Sequence, residues 1–250
     1  MVDHRRGAMR TAVVWEALSA NLETRRNELT EQRPLHLVDL GGGTGGLAVR
    51  LAELGHRATV VDPSPDALAS LARRADDAGV SEQIRGIQGD SSDLLEVVER
   101  GSADAVLCHG VLEVVDDPTD ALRAVAAVLR PEGLLSLLVT QRHAAVLAKA
   151  LAGHLADARH LLVDPAGRWG SADPVPRRFT EPEVTDLLST TGFDITGVHG
   201  ARVFTDLVPS TLVDTEPGAA EMLYSLETAV ADRPEFRAIA TQLHVLATVR

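Results

Sequence analysis

Val38-Asp39-Leu40-Gly41-Gly42-Gly43-Thr44-Gly45-Gly46 sets five glycines in six positions, between an apolar run and an amphipathic stretch. The run before it, Leu35-His36-Leu37-Val38, follows Pro34 and suits a buried strand. The stretch after it reads as a helix to about Leu54, stopping at Gly55, a residue that tolerates the left-handed cap conformation. A tight turn does not need five glycines. Where a ligand must approach the backbone closely, side chains would block it, so the glycines serve a steric purpose.

Working outward, Ala58-Thr59-Val60-Val61 is the next strand and residues 66–78 the next helix, ended by Gly79. Strands follow near 84–88, 103–108 and 133–139, with helices near 91–99 and 117–129. Five strands alternating with helices imply parallel pairing through right-handed crossovers, hence a doubly wound α/β sheet. On the amino-terminal side, residues 8–30 form an amphipathic helix: Met9, Val13, Ala17 and Ala20 make one stripe, with Val14, Leu18 and Leu22 beside it. From 140 to 180 the pattern becomes an alanine- and histidine-rich helix followed by a Pro/Gly/Arg loop, an insertion long enough to act as a lid. A helix near 181–191, a strand near 193–199, a helix near 218–231 and a strand from Leu243 to Val249 complete the chain. The expected organisation is one domain, 1–250, with a cap helix at 8–30 and the lid at 140–180.

Composition narrows the classes. The chain has 250 residues, 45% hydrophobic and 24% charged, an ordinary globular mixture. Its apolar runs are too short to span a membrane, and MVDHRRGAMR has no apolar core behind its basic residues, so a cytoplasmic location is expected. The single cysteine, Cys108, excludes an internal disulfide, and the nine histidines show no metal-ligand spacing with it, so no metal is expected. Lys+Arg is 24 against 36 for Asp+Glu, a formal charge of −12. That balance weighs against gripping nucleic acid by general attraction and leaves room only for a local patch.

The loop alone is ambiguous. Gly41, Gly43 and Gly46 also satisfy the G-x-G-x-x-G spacing of dinucleotide enzymes, with Asp62 about twenty residues onward. Two features favour S-adenosyl-L-methionine over NAD. Asp39 ends the first strand, where an acid suits a ligand's ammonium group and would repel pyrophosphate. Asp62, in Val60-Val61-Asp62-Pro63, ends the second strand and is placed to accept both ribose hydroxyls. Gln88-Gly89-Asp90-Ser91-Ser92 ends the third, where a polar turn can bond the adenine edge.

With Asp104-Ala105-Val106-Leu107-Cys108-His109 and Leu129-Arg130-Pro131-Glu132-Gly133, these segments resemble the ordered motifs of class I methyltransferases. The resemblance implies a Rossmann-like seven-stranded sheet, last strand antiparallel, with helices on both faces. The whole chain further resembles the bacterial tRNA methyltransferases that esterify 5-carboxymethoxyuridine at the wobble position. Arg10, in Met9-Arg10-Thr11-Ala12-Val13-Val14-Trp15, matches that group's arginine on the cofactor carboxylate. Gly41, Gly42, Asp62, Ser91, Ser92 and His109 match its other cofactor positions. His109-Gly110-Val111-Leu112-Glu113-Val114 with Asp117-Pro118, Gly200-Ala201-Arg202-Val203-Phe204 and Leu226-Glu227-Thr228 also match. The expected cofactor set is therefore Arg10, Asp39, Gly41, Gly42, Gly43, Asp62, Pro63, Asp90, Ser91, Ser92 and His109.

The chain departs from the group on the acceptor side. Residues 160–178 offer Arg168, Arg177 and Arg178 in place of a lysine cluster. Thr205 and Leu207 stand where the group has His and Tyr, and Thr140 and Gln141 where it has Tyr and Asn, while His143 agrees. Arg202 is the expected grip on an acceptor carboxylate, and His143 a base for a phenol or hydroxyl. Trp169 is a candidate to stack on a base, with Trp15 as readily core, and Arg177-Arg178 reads as a solvated pair within reach of phosphate. Three functions stay open: carboxyl methylation of tRNA, O- or N-methylation of a small molecule, and non-catalytic binding of S-adenosylmethionine. The oligomeric state is not readable.

Overall fold

A computed structural model of the chain describes residues 2–28 and 33–250, excepting the side chains of residues 2–10, Ser210 and Asp214. Its seven strands are β1 (His36–Leu40), β2 (Arg57–Asp62), β3 (Ile84–Gln88), β4 (Ala103–His109), β5 (Leu129–Thr140), β6 (Phe193–Ala201) and β7 (Gln242–Val249). They form one sheet in the order β3-β2-β1-β4-β5-β7-β6, with β7 antiparallel. This is the Rossmann-like arrangement expected from the resemblance. Two compact units make up the chain. One comprises Glu23–Leu137, Thr185–Thr196 and Leu246–Arg250, and the other Met1–Leu22, Leu138–Val184 and Gly197–Val245.

The first of these units carries the glycine loop. β1 runs parallel to both β2 and β4, and β2 parallel to β3. β1, β2 and β4 are buried along almost their whole length, as a parallel sheet covered by helices requires. Helices α2 (Gly46–Glu53) and α3 (Pro65–Asp77) close one side over a core of Ala48, Val49, Ala52, Val60, Leu71, Ala75 and Val80. α3 starts where Ser64 accepts the Ala67 N–H ahead of Pro65, and α5 (Pro118–Val128) where Asp117 accepts those of Thr119 and Asp120. The helix expected near 91–99 shrinks to α4, Leu94–Val97. Its first residues are diverted: Asp90 accepts both the N–H and the hydroxyl of Ser92, and Asp93 accepts the Asp90 N–H. β5 begins at Leu129, earlier than the expected 133, because Arg130 is anchored on Asp104 of β4.

Helix α1 starts at Val2, ahead of the expected 8, and ends at Glu28, with its residues up to Leu22 in the other unit; residues 29–30 lie outside the described residues. Val13, Val14, Leu18 and Leu22 of its apolar stripe are buried. The insertion holds two helices, α6 (Arg142–Leu151) and α7 (Leu155–Val163). Gly153, at φ 80°, divides them: its N–H bonds Ala150 O and that of His154 bonds Lys149 O, the geometry of a left-handed helix stop. Arg178, expected as half of a solvated pair, is instead buried on Asp173 at 2.6 Å. Asp173 also accepts the N–H groups of Trp169 and Val175, so this pair organises the loop. Lys149 lies 3.7 Å from the centroid of the Trp169 ring, which covers one face of the expected stacking platform. Helices α8 (Glu181–Thr190), α9 (Ser210–Thr215), α10 (Ala219–Val230) and α11 (Pro234–Arg237) complete the chain, with α9 and α11 too short to have shown as periodic patterns.

At the amino-terminal edge of the first unit, Asp104 accepts from Arg33, Arg130 and the His36 N–H. Burial alone would raise its pKa, but these donors hold it at about 2. A carboxyl depressed in the folded state adds stability above its unfolded value near 4, which is lost as pH falls through about 2. With both guanidinium groups more than a third exposed, Asp104→Asn should cost a discounted ~1–3 kcal/mol at pH 7. Denaturant titrations should also show a flatter decline between pH 4 and 2 than in the wild type.

Candidate functional site

The loop expected to cradle a ligand is built by close approach. Gly41, Gly43 and Gly45 have φ of 69°, 56° and 74°, the left-handed region. A Cβ on Gly42 would lie 2.5 Å from the Asp39 carboxylate, and one on Gly45 2.0 Å from Leu71 Cδ1. The Gly41 N–H donates to Val61 O at 2.7 Å, fastening the loop to the end of β2. Asp62 completes the tie: Oδ2 accepts the Gly43 N–H at 2.8 Å, and Oδ1 the Ser64 N–H at 2.9 Å.

A cleft of about 970 Å³ opens at the carboxyl ends of these strands. It brings together Gly41, Asp62, Pro63, Asp90, Ser91, Ser92 and His109, seven of the residues expected to hold the cofactor. Asp39 lies behind them, buried, while Gly42 and Gly43 shape the loop. The side chain of Arg10 lies outside the described residues. Arg202 and His143 belong to the other unit. There Arg202, at φ 60°, pairs with Asp206 at 2.7 Å, and exposed His143 follows Gln141, whose Oε1 accepts its N–H.

The sequence reading missed the side of the cleft formed by α5 and its approach. Val114, Asp116, Asp117, Asp120 and Arg123 line it, with Leu95 of α4 also in the lining, and only the Asp117-Pro118 cap marked that helix start. It also missed the clamp on Glu227. This buried carboxylate accepts the N–H groups of Val203, Phe204 and Thr205 and the Thr205 hydroxyl, at 2.6–2.9 Å. Its signals were an acidic residue on an apolar helix face and the match of Leu226-Glu227-Thr228 and residues 200–204 to the resembling group, neither of which says that the two segments bond.

Electrostatics separate the two ligands that the glycine spacing left open. The cleft presents Asp62, Asp90, Asp116, Asp117 and Asp120 against Arg100 and Arg123, and Arg123 is paired with Asp120. Such a lining suits a cationic ligand and repels a pyrophosphate. Burial, with Asp62 beside it, pushes the Asp39 carboxyl up to about 7. His109 shares a 2.8 Å hydrogen bond between Nε2 and Ser136 Oγ, and burial lowers its pKa to about 4. It therefore meets a ligand as a neutral imidazole. Among the described residues no group of His, Cys, Asp or Glu could hold a metal ion, and no helix is long and apolar enough to cross a membrane.

Residues 38–137 match the methyltransferase domain family. Over 242 residues the chain is 30% identical to the tRNA 5-carboxymethoxyuridine methyltransferase of Escherichia coli K12, covering 97% of this chain and 88% of that one. The chain belongs to the class I S-adenosylmethionine-dependent methyltransferases. Among solved structures, a Burkholderia thailandensis 1,6-didemethyltoxoflavin-N1-methyltransferase with bound S-adenosylhomocysteine matches at TM-score 0.57 and 24% identity, covering 97% of this chain and 78% of that one. A methyltransferase from Mesorhizobium loti matches at TM-score 0.55 and 21% identity over 90% and 96%. Both show the same fold.

The methyltransferase uses S-adenosylmethionine, which supplies a methyl group made electrophilic by its sulfonium. The residues present fit that cofactor: glycines leave the backbone open, Asp62 keeps spare lone pairs for hydroxyls, and the acids suit a cation.

Two outcomes test this arrangement. Gly45→Ala should destabilise the fold by ~2–4 kcal/mol in denaturant unfolding, since the left-handed backbone and the overlap with Leu71 both oppose a methyl group. For Asp39 the folded pKa is raised, so its contribution is present below pH 4 and lost as pH rises through about 7. Asp39→Asn should therefore gain stability over the wild type, on the order of 2–4 kcal/mol by pH 8. A bound cation favours the ionised carboxylate, so wild-type affinity for S-adenosylmethionine should rise between pH 6 and 8 with proton release. Calorimetry in two buffers of different ionisation enthalpy reads that proton; identical heats would remove Asp39 from this role.

Proposed function

We propose that the methyl acceptor is the carboxylate of 5-carboxymethoxyuridine at the wobble position of tRNA. The observation that carries this reading is the length of the similarity to the Escherichia coli enzyme, 97% of the chain, well beyond the cofactor motifs. A carboxylate is ionised at neutral pH and needs no general base, only a partner that aims it. Arg202 is that partner in this reading: a guanidinium grips a carboxylate through two parallel donors. Asp206 now holds it, so an acceptor carboxylate exchanges with a resident one. Arg10 and the cleft residues hold the cofactor, and His143 is not required as a base. Such an enzyme works in the cytoplasm, where its tRNA is.

A second reading, O- or N-methylation of a small molecule, is favoured by the charge of −12 and by cations that are 23 arginines and a single lysine, Lys149. Over 117 residues the chain is also 36% identical to a ubiquinone biosynthesis O-methyltransferase of Xanthomonas axonopodis, but this covers only 47% of the chain and 48% of the relative.

The deciding experiment supplies purified protein with methyl-labelled S-adenosylmethionine and either total tRNA or a small-metabolite extract. Label should enter tRNA and be released by mild alkali, as an ester is. Label in small molecules alone would overturn the acceptor and leave the enzyme class intact. Arg202→Ala should slow transfer roughly 10–100-fold, the scale of a charge-assisted hydrogen bond, with cofactor affinity unchanged. Arg202→Lys should recover only part of it.

A further inference from the structure

The strands that end at the acidic cleft begin at a second cavity, of about 690 Å³, lined by Arg33, Arg57, Arg85 and Arg130. Pairing register explains the clustering. His36 lies opposite Arg57 on β1 and β2, and Thr59 opposite Arg85 on β2 and β3. Paired residues share a face and residues two apart return to it, so His36, Arg57, Thr59 and Arg85 point the same way. Strand spacing sets the Arg57 and Arg85 Cα atoms about 8 Å apart. Their floor is rigid: His36 Nδ1 bonds Ser102 O at 3.1 Å and Nε2 bonds Thr59 Oγ1 at 3.0 Å.

Charge is left over here. Arg33 and Arg130 share one carboxylate, Asp104, so the trio keeps a net positive charge. Arg57 and Arg85 are exposed, and their guanidinium groups have no hydrogen bond or ion pair among the described residues. The cavity's acids are Glu82 and Glu99, both exposed. With Asp104 counted, four guanidinium groups face three carboxylates, a local excess of positive charge on a chain in which acids exceed bases 36 to 24. Planar forked donors suit tetrahedral oxyanions.

We propose that this edge is a phosphate-binding site, separate from the methyl-transfer cleft, through which the enzyme grips an RNA backbone. Arg57 and Arg85 are the contacting groups, and Asp104 holds Arg33 and Arg130 in place beside them. The phosphate chemistry stands on the geometry above. RNA as its source rests on the tRNA reading, with free phosphate the other source.

The test measures binding of total tRNA against salt for the wild type and for Arg57→Gln with Arg85→Gln, alongside S-adenosylmethionine affinity and melting temperature as controls. Inorganic phosphate is titrated separately, observing arginine Nε–H signals by NMR. The double variant should bind tRNA roughly tenfold more weakly, with a log–log salt slope shallower by about 1.5–2 for two lost contacts and cofactor affinity unchanged. Glu82→Gln with Glu99→Gln should move affinity the other way. If the wild type binds no tRNA while phosphate shifts the Arg57 and Arg85 signals, the site stands with free phosphate as its ligand and the RNA source is overturned. If both proteins bind tRNA with one affinity and slope and phosphate moves neither signal, the site is overturned, whatever the acceptor proves to be.

Discussion

One carboxylate at the end of β2 is bonded on both oxygens by backbone amides, Gly43 on one and Ser64 on the other. Asp62 thereby joins the glycine loop to the turn that starts α3, adding to the Gly41–Val61 bond that already ties the loop to the end of β2. The strained part of the loop then needs no side chains of its own to stay in shape. Glycine supplies the left-handed conformations, Leu71 fills the space behind Gly45, and the Asp39 carboxylate lies against Gly42. A pocket of bare backbone is held open by groups that stand outside it, which is what ligand contact with main chain requires.

The same few residues set the electrical character of the cleft. Asp39 is excluded from water and sits near a second acid, so its proton is held with an affinity close to ambient pH. His109 is shifted the opposite way by the same physical cause, because burial penalises whichever form carries charge. One unit thus holds both a carboxyl that resists ionisation and an imidazole that resists protonation. A cationic cofactor draws the carboxyl toward its ionised form and meets an imidazole that adds no opposing charge.

Much of this was legible in the amino-acid order. The five glycines, the acids ending β1 and β2, and the alternation of apolar runs with amphipathic stretches follow from backbone sterics and periodicity, which are local. The elements that escaped depend on non-local or competing bonds. Arg130 draws β5 back to Leu129 only because Asp104 is nearby in space. The Asp90-Ser91-Ser92-Asp93 turn consumes residues that composition alone would give to a helix. Arg178 looked like a surface cation, since nothing in the order of residues reveals that Asp173 waits five positions earlier in a closed loop. The apolar face of α10 hid Glu227, whose partners lie more than twenty residues upstream.

That last carboxylate has an evolutionary consequence. Glu227 grips the segment after Arg202 by three main-chain amides and one hydroxyl, so it recognises where the chain runs and hardly what the chain is. Val203 is core and Thr205 lends its hydroxyl, but exposed side chains such as Leu207 are exchangeable at little cost to the path, and positions 205 and 207 already differ from the His and Tyr of the resembling group. The mount itself is far less tolerant: an amide in place of the carboxylate would turn its NH2 toward backbone N–H groups, which can only donate. Selection can therefore rewrite what this segment reads while its support stays constant, and new acceptors can be tried one substitution at a time.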